Sequence, residues 1–141
     1  MDASLFLKNL MWIREVRRRN PTAAIVLEQP ADPMEWAPRG QVDPPSFLCW
    51  PETKELARDL GLEAIKFDQG ALGHRTRKPT TILTDLAEVK GLQGLRSSEP
   101  GEPWPDTVEE RVKMSGELAQ WATGLVKVIT AGAWSWCLGG K

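Results

Sequence analysis

Apolar positions recur at helical spacing through Leu5, Phe6, Leu10, Ile13 and Val16, which predicts a helix over 4–19 with Ser4 as N-cap and Asn20-Pro21 as its stop. The next run, 22–27, is short, β-branched and continuous instead of alternating, as in a strand buried on both faces of a parallel sheet. It ends in Glu28-Gln29-Pro30. Residues 31–50, with Pro33, Pro38, Pro44 and Pro45 among Trp36, Phe47 and Trp50, read as a functional or lid-like loop. Leu56, Ala57 and Leu60 then mark a helix over 52–60 with Gly61 as C-cap, and 62–67 a second buried strand. Strand, helix, strand is a βαβ unit, whose two strands lie adjacent or one strand apart and run parallel. Glu28 and Asp68-Gln69 are therefore expected at one edge of the sheet, where open α/β sheets keep their sites. Residues 80–84 form a third β-branched run beyond Pro79, short enough for an edge or hairpin strand. Helical spacing returns in one long element over 107–138.

This pattern gives an α/β domain over 1–90 with about three strands and flanking helices, a Pro/Gly/Ser-rich linker over 91–106 and a C-terminal amphipathic helix over 107–141 that packs on the domain. A chain of 141 residues with 41% hydrophobic content can bury one modest core without disulfides or metal. Its formal charge of −1 excludes a global pull on nucleic acid. Basic residues still cluster at Arg14, Arg17, Arg18 and Arg19 and again at Arg75, Arg77 and Lys78, while Glu99, Glu102, Asp106, Glu109 and Glu110 collect later. Cys49 and Cys137 lack metal-ligand spacing and imply neither a disulfide scaffold nor a zinc site. Asp2 and Glu15 interrupt an N-terminal region without a secretion signal's basic start and long apolar core, so an intracellular soluble protein, nuclear or cytoplasmic, is expected. Between 118 and 138 only Lys127 is charged, which brings a membrane span into view. Gln120, Thr123, Thr130 and Ser135 and the small residues lower its hydropathy, and a helix packed on the sheet is the better reading.

With the parts in this order, a family resemblance becomes visible. A helix, a basic stretch ending in Asn-Pro, a strand ending in Glu28-Gln29-Pro30, a helix ending in Leu-Gly-Leu and a strand leading into Gly73-His74-Arg75-Thr76-Arg77 resemble the second half of a DNA cytosine-5 methyltransferase. That family carries Glu-Asn-Val or Glu-Asn-Pro at its strand end and a Gln-x-Arg-x-Arg turn, with Gly here in place of the Gln. Lys78-Pro79-Thr80 is similar to its phage-type and mobile-element relatives, and 114–129 occupies the place of its C-terminal helix. The resemblance covers roughly residues 5–86 and implies a partial Rossmann-like methyltransferase sheet with a long C-terminal helix.

By this resemblance Glu28 corresponds to the carboxylate that holds the target cytosine by its ring nitrogen and amino group, a task that suits a partly desolvated carboxyl able to give a proton. Arg75 and Arg77 take the arginine role, steadying the site or a phosphate, with Lys78 beside them as a DNA-binding residue; alternation in extended chain puts both guanidinium groups on one side. The cofactor the resemblance implies is S-adenosylmethionine. The family's Phe-x-Gly-x-Gly cofactor loop and Pro-Cys nucleophile belong upstream of the matched region, and neither motif occurs in this sequence. The chain is therefore expected not to turn over alone and to be completed by an N-terminal half in cis or trans. Cys49 follows Glu28, lacks the adjacent proline and reads as a buried apolar thiol. His74, the single histidine, reads as a turn residue, and Trp36, Trp50 and Trp104 as loop packing before base stacking. The alternative is a noncatalytic nucleic-acid-binding module, or a protein-interaction module using the Trp-rich C-terminal helix.

Overall fold

The computed structural model describes residues 3–30, 47–96, 107–114, 116 and 119–139. The long loop after Pro30, with Trp36, and most of the expected linker, with Trp104, lie outside these. Helix α1 (Ala3–Arg19) leads into β1 (Val26–Pro30). A 3-10 turn (Phe47–Cys49) opens α2 (Pro51–Leu60), which Gly61 ends in the left-handed conformation at φ 68°, and β2 (Glu63–Asp68) follows. A second 3-10 turn (Gln69–Leu72) precedes β3 (Pro79–Thr84), and then come α3 (Ala87–Lys90), α4 (Val108–Lys113) and α5 (Thr123–Cys137).

The three strands lie in the order β1-β3-β2, and β3 is antiparallel to both neighbours. β1 and β2 thus run the same way one strand apart, while the ladder between each neighbouring pair is antiparallel and not, as the continuous apolar runs suggest, parallel. The run at 80–84 is the central strand and not an edge. Its Pro79 is tolerated because it is the first residue of the strand. The polar residues of this central strand are bonded within the fold: Thr84 Oγ1 donates to the Ile25 carbonyl (2.7 Å) and accepts from Leu86 N–H (3.0 Å), while Thr80 Oγ1 donates to the Lys78 carbonyl (2.9 Å).

Helices cover both faces. On one, Ile25, Leu62 and Leu83 pack with Ile13 of α1 and Ala57 and Leu60 of α2, next to a cluster of Phe6, Leu10 and Leu56. Trp50 belongs to this packing: its ring stands edge-on to Phe47 with centroids 4.8 Å apart, and Phe47 stacks on Phe6 at 4.7 Å. On the other face Ile65, Phe67 and Ile82 pack under Leu86, Val89, Leu92, Ala122 and Leu125, beneath α3 and α5. Each such fully buried aliphatic or aromatic side chain contributes about 1.5–3 kcal/mol.

The C-terminal element is not continuous. α4 ends at Lys113, Ala122 is extended (φ −57°, ψ 142°), and α5 starts only at Thr123. No helix among the described residues is long and apolar enough to cross a membrane. The first part of the expected linker is packed, not open: Leu92 is buried, and the turn after it covers the outer edge of β2, with Gly94 N–H bonded to the Lys66 carbonyl (2.8 Å) and Asp68 N–H to the Leu95 carbonyl (2.9 Å). β1 has no strand on its outer side among the described residues.

Candidate functional site

Register fixes where Glu28 lies. It pairs with Ile82 on β3, which pairs on its other side with Ile65 of β2, and directly opposed residues share a face. Glu28 therefore belongs to the α5 side of the sheet, at the rim of the apolar cluster built on Ile65, Phe67 and Ile82. It sits within β1 and not after it, because the strand continues to Pro30. Burial pushes its carboxyl above the ordinary carboxylate value, against the attraction of Lys78 and a hydrogen bond from the Trp121 side chain. Its Oε1 is buried and has no hydrogen-bond partner among the described residues. A buried acceptor without a donor is rare, and each one calls for a reason.

The Arg-x-Arg turn is split by alternation. Arg75 and Arg77 are exposed, while Thr76 and Lys78 are buried, so the two guanidinium groups face solvent together and the lysine turns inward. Lys78 is only 3% exposed, and its Nζ donates to the Gln120 carbonyl at 3.1 Å. Burial holds its ammonium below the ordinary lysine value, with Glu28 opposing the shift. Lys78 belongs with Glu28, then, and not with the two arginines on the surface.

The segment above these groups is held by the Asp68-Gln69-Gly70 turn. Gln69, fully buried, donates from Nε2 to Thr80 Oγ1 (2.9 Å) and accepts at Oε1 from Ala122 N–H (2.8 Å). This clamp fixes the entry of α5, and so sets Gln120 over Lys78 and Trp121 against Glu28. Asp68 Oδ1 accepts from Gly70 N–H and from Lys78 N–H, both at 2.8 Å. Asp68 and Gln69 thus shape the sheet edge they were expected to share with Glu28. His74 Nδ1 lies 3.0 Å from Thr76 Oγ1, inside the turn.

The other basic cluster is ion-paired within the fold, four arginines on three carboxylates. Arg14 pairs with Asp59 (3.0 Å), Arg17 with Asp85 (2.5 Å), and Arg18 and Arg19 both with Glu15 (2.6 and 2.8 Å). No disulfide joins half-buried Cys49 and exposed Cys137, and among the described residues no three His, Cys, Asp or Glu gather as a metal site. The two glycines of the turn after β2 differ in the room beside them. A Cβ at Gly70 would meet the chain's own Asp68 Oδ1 (3.1 Å) and Thr76 carbonyl (3.3 Å), and one at Gly73 would meet nothing within 4 Å. No protein-family model, curated protein or solved structure matches the chain.

Trp121 and Gln120 are the parts of this site that sequence reasoning missed. Trp121 falls on the apolar stripe of the expected long helix, and only the break before Thr123 frees it to reach Glu28.

Proposed function

We propose that this chain is a methyltransferase-like nucleobase-binding domain, similar to the target-base side of DNA cytosine-5 methyltransferases, in which Glu28 holds the edge of a cytosine. The observation that carries the reading is the Glu28 carboxyl: half-buried, with its proton affinity raised and Oε1 lacking a donor. The open acceptor Oε1 suits the amino group of cytosine, and a carboxyl held at raised proton affinity can share a proton with the ring nitrogen beside it. A Rossmann-like origin is part of this proposal: the helices on both faces and the like direction of β1 and β2 are in keeping with it, whereas the antiparallel ladders are not a Rossmann feature. Exposed Arg75 and Arg77 supply phosphate contacts beside it. The outer edge of β1 is assigned to a further strand supplied in cis or in trans, and no step of methyl transfer is assigned to this chain.

Binding of a cytosine-containing single-stranded oligonucleotide tests the reading. Glu28→Ala should weaken it about 10- to 100-fold, the loss of a charge-assisted hydrogen bond. Glu28→Gln, whose amide also pairs a donor with an acceptor, should retain most of it. Replacing Arg75 or Arg77 by Ala should lower the salt slope by about one each. Equal binding of a thymine-only oligonucleotide overturns the assignment, and methyl transfer from S-adenosylmethionine by the chain alone overturns its noncatalytic part.

A further inference from the structure

The Glu28 site contains a second buried polar group that a carboxyl reading alone leaves without a task. Thr80 and Ile82 of β3 alternate onto one face of the sheet, Glu28 lies opposite Ile82 on that face, and Lys78 stands directly before the strand. Two consecutive residues of the α5 entry, Gln120 and Trp121, each bond to one of the pair: the Gln120 carbonyl to Lys78 Nζ at 3.1 Å, the Trp121 side chain to Glu28. The carboxyl and the ammonium are near enough to attract, yet they make no direct ion pair. The pair thus offers an acceptor without a donor, Glu28 Oε1, and an ammonium that carries three donors.

We infer that Glu28 and Lys78 form a charge-compensated pair that takes one neutral ligand edge with a hydrogen-bond donor and an acceptor side by side, and rejects cations. It rests on the base-edge reading of Glu28 and adds Lys78 to it as the residue that decides selectivity. A lone half-buried carboxylate would take a guanidinium or an ammonium, since an opposite charge is the best partner for a buried one. Lys78 already fills that role from below. A cationic ligand would put two positive charges against one carboxylate in a desolvated place, whereas a neutral edge leaves the charges balanced and supplies the N–H that Oε1 lacks.

The test uses the full chain, with the Trp121 indole N–H resonance as the readout, and three probes: deoxycytidine, 2-pyrrolidone as a minimal neutral donor–acceptor edge, and methylguanidinium. The unaltered chain should bind deoxycytidine and 2-pyrrolidone and bind methylguanidinium at least tenfold more weakly. Lys78→Met should reverse the order, gaining methylguanidinium and losing the neutral probes, each by at least tenfold, and Lys78→Arg should keep the neutral preference. Comparable binding of methylguanidinium by the unaltered chain overturns the inference, a result that needs no variant to fold. Retention of the neutral preference in folded Lys78→Met overturns it too. Lys78-dependent binding of 2-pyrrolidone without binding of deoxycytidine upholds the charge-compensated pair and overturns the cytosine reading instead.

Discussion

Glu28 keeps a carboxyl at the rim of an apolar cluster, and the cost of ionising it there shows as a dependence of stability on pH. Its proton affinity is higher in the fold than in the unfolded chain, so the native state holds the proton over a pH range in which the unfolded state has lost it. The stabilisation linked to that proton is fully present below the ordinary carboxylate value of 4.5 and is lost as pH rises through the raised native value. Urea denaturation at a series of pH values should show the native protein losing stability relative to Glu28→Gln across that window. A constant difference between the two would mean that the carboxyl does not titrate in the fold. The position of Glu28 after an apolar run is legible in the sequence, but the strand does not stop there: β1 continues through Glu28 to Pro30. Lys78 groups with Arg75 and Arg77 in the sequence, where three of the four residues from Arg75 are basic. Alternation in extended chain separates them, turning Thr76 and Lys78 in and the arginines out. The same period-two reasoning that put both guanidinium groups on one side also takes the lysine away from them.

At the scale of elements, the break before α5 makes the site. An uninterrupted helix would keep Ala122 N–H and the Gln120 carbonyl in its own ladder, but Gln69 and Lys78 take them instead. Helical periodicity alone could not reveal this, because the competing hydrogen bonds come from residues far away in the chain. α5 also approaches the 3-10 turn closely at Gly124, where a Cβ would stand 2.6 Å from the Leu72 carbonyl oxygen. Ala in place of Gly inside a helix normally adds about 0.5–1 kcal/mol of stability. Here the backbone clash outweighs that gain, and Gly124→Ala should destabilise by about 1–3 kcal/mol. Gln69→Leu should cost a similar amount, about 1–3 kcal/mol, by leaving Ala122 N–H buried and unbonded. Thermal or urea unfolding checks both. In Gln69→Leu the Trp121 indole resonance should also shift, and an unmoved resonance would show that the clamp does not hold the α5 entry.

Across the whole molecule, the end of the sheet away from Glu28 is tied by one ion pair. Arg17 donates to Asp85 at 2.5 Å and to the carbonyls of Ala23 (3.1 Å) and Leu60 (3.4 Å), while Asp85 accepts from Ile25 N–H at 2.9 Å. The ends of α1 and α2, the start of β1 and the exit of β3 meet there, and the two side chains are only 18% and 11% exposed. Removing either partner strands the other charge among these elements, so Arg17→Ala and Asp85→Ala should each cost about 3 kcal/mol. The double variant should lose clearly less than the sum, a coupling that a double-mutant cycle reads directly. Strictly additive losses would show that the two side chains act apart.

The place of β3 in the sheet has a consequence for the order of events in folding. It is the central strand and also the last of the three in the chain, so neither β1 nor β2 has a ladder partner until β3 arrives. The bond from Thr84 to Ile25 closes a separation of 59 residues. The β2–β3 ladder closes over the short connection from Asp68 to Pro79, whereas adding β1 closes the long one from Pro30 to Thr80 and is the late, entropically costly step. Glu28 lies in β1 and Lys78 directly precedes β3, so the two meet only in that step, and binding of the proposed ligand should recover in refolding experiments with the time constant of the last folding transition.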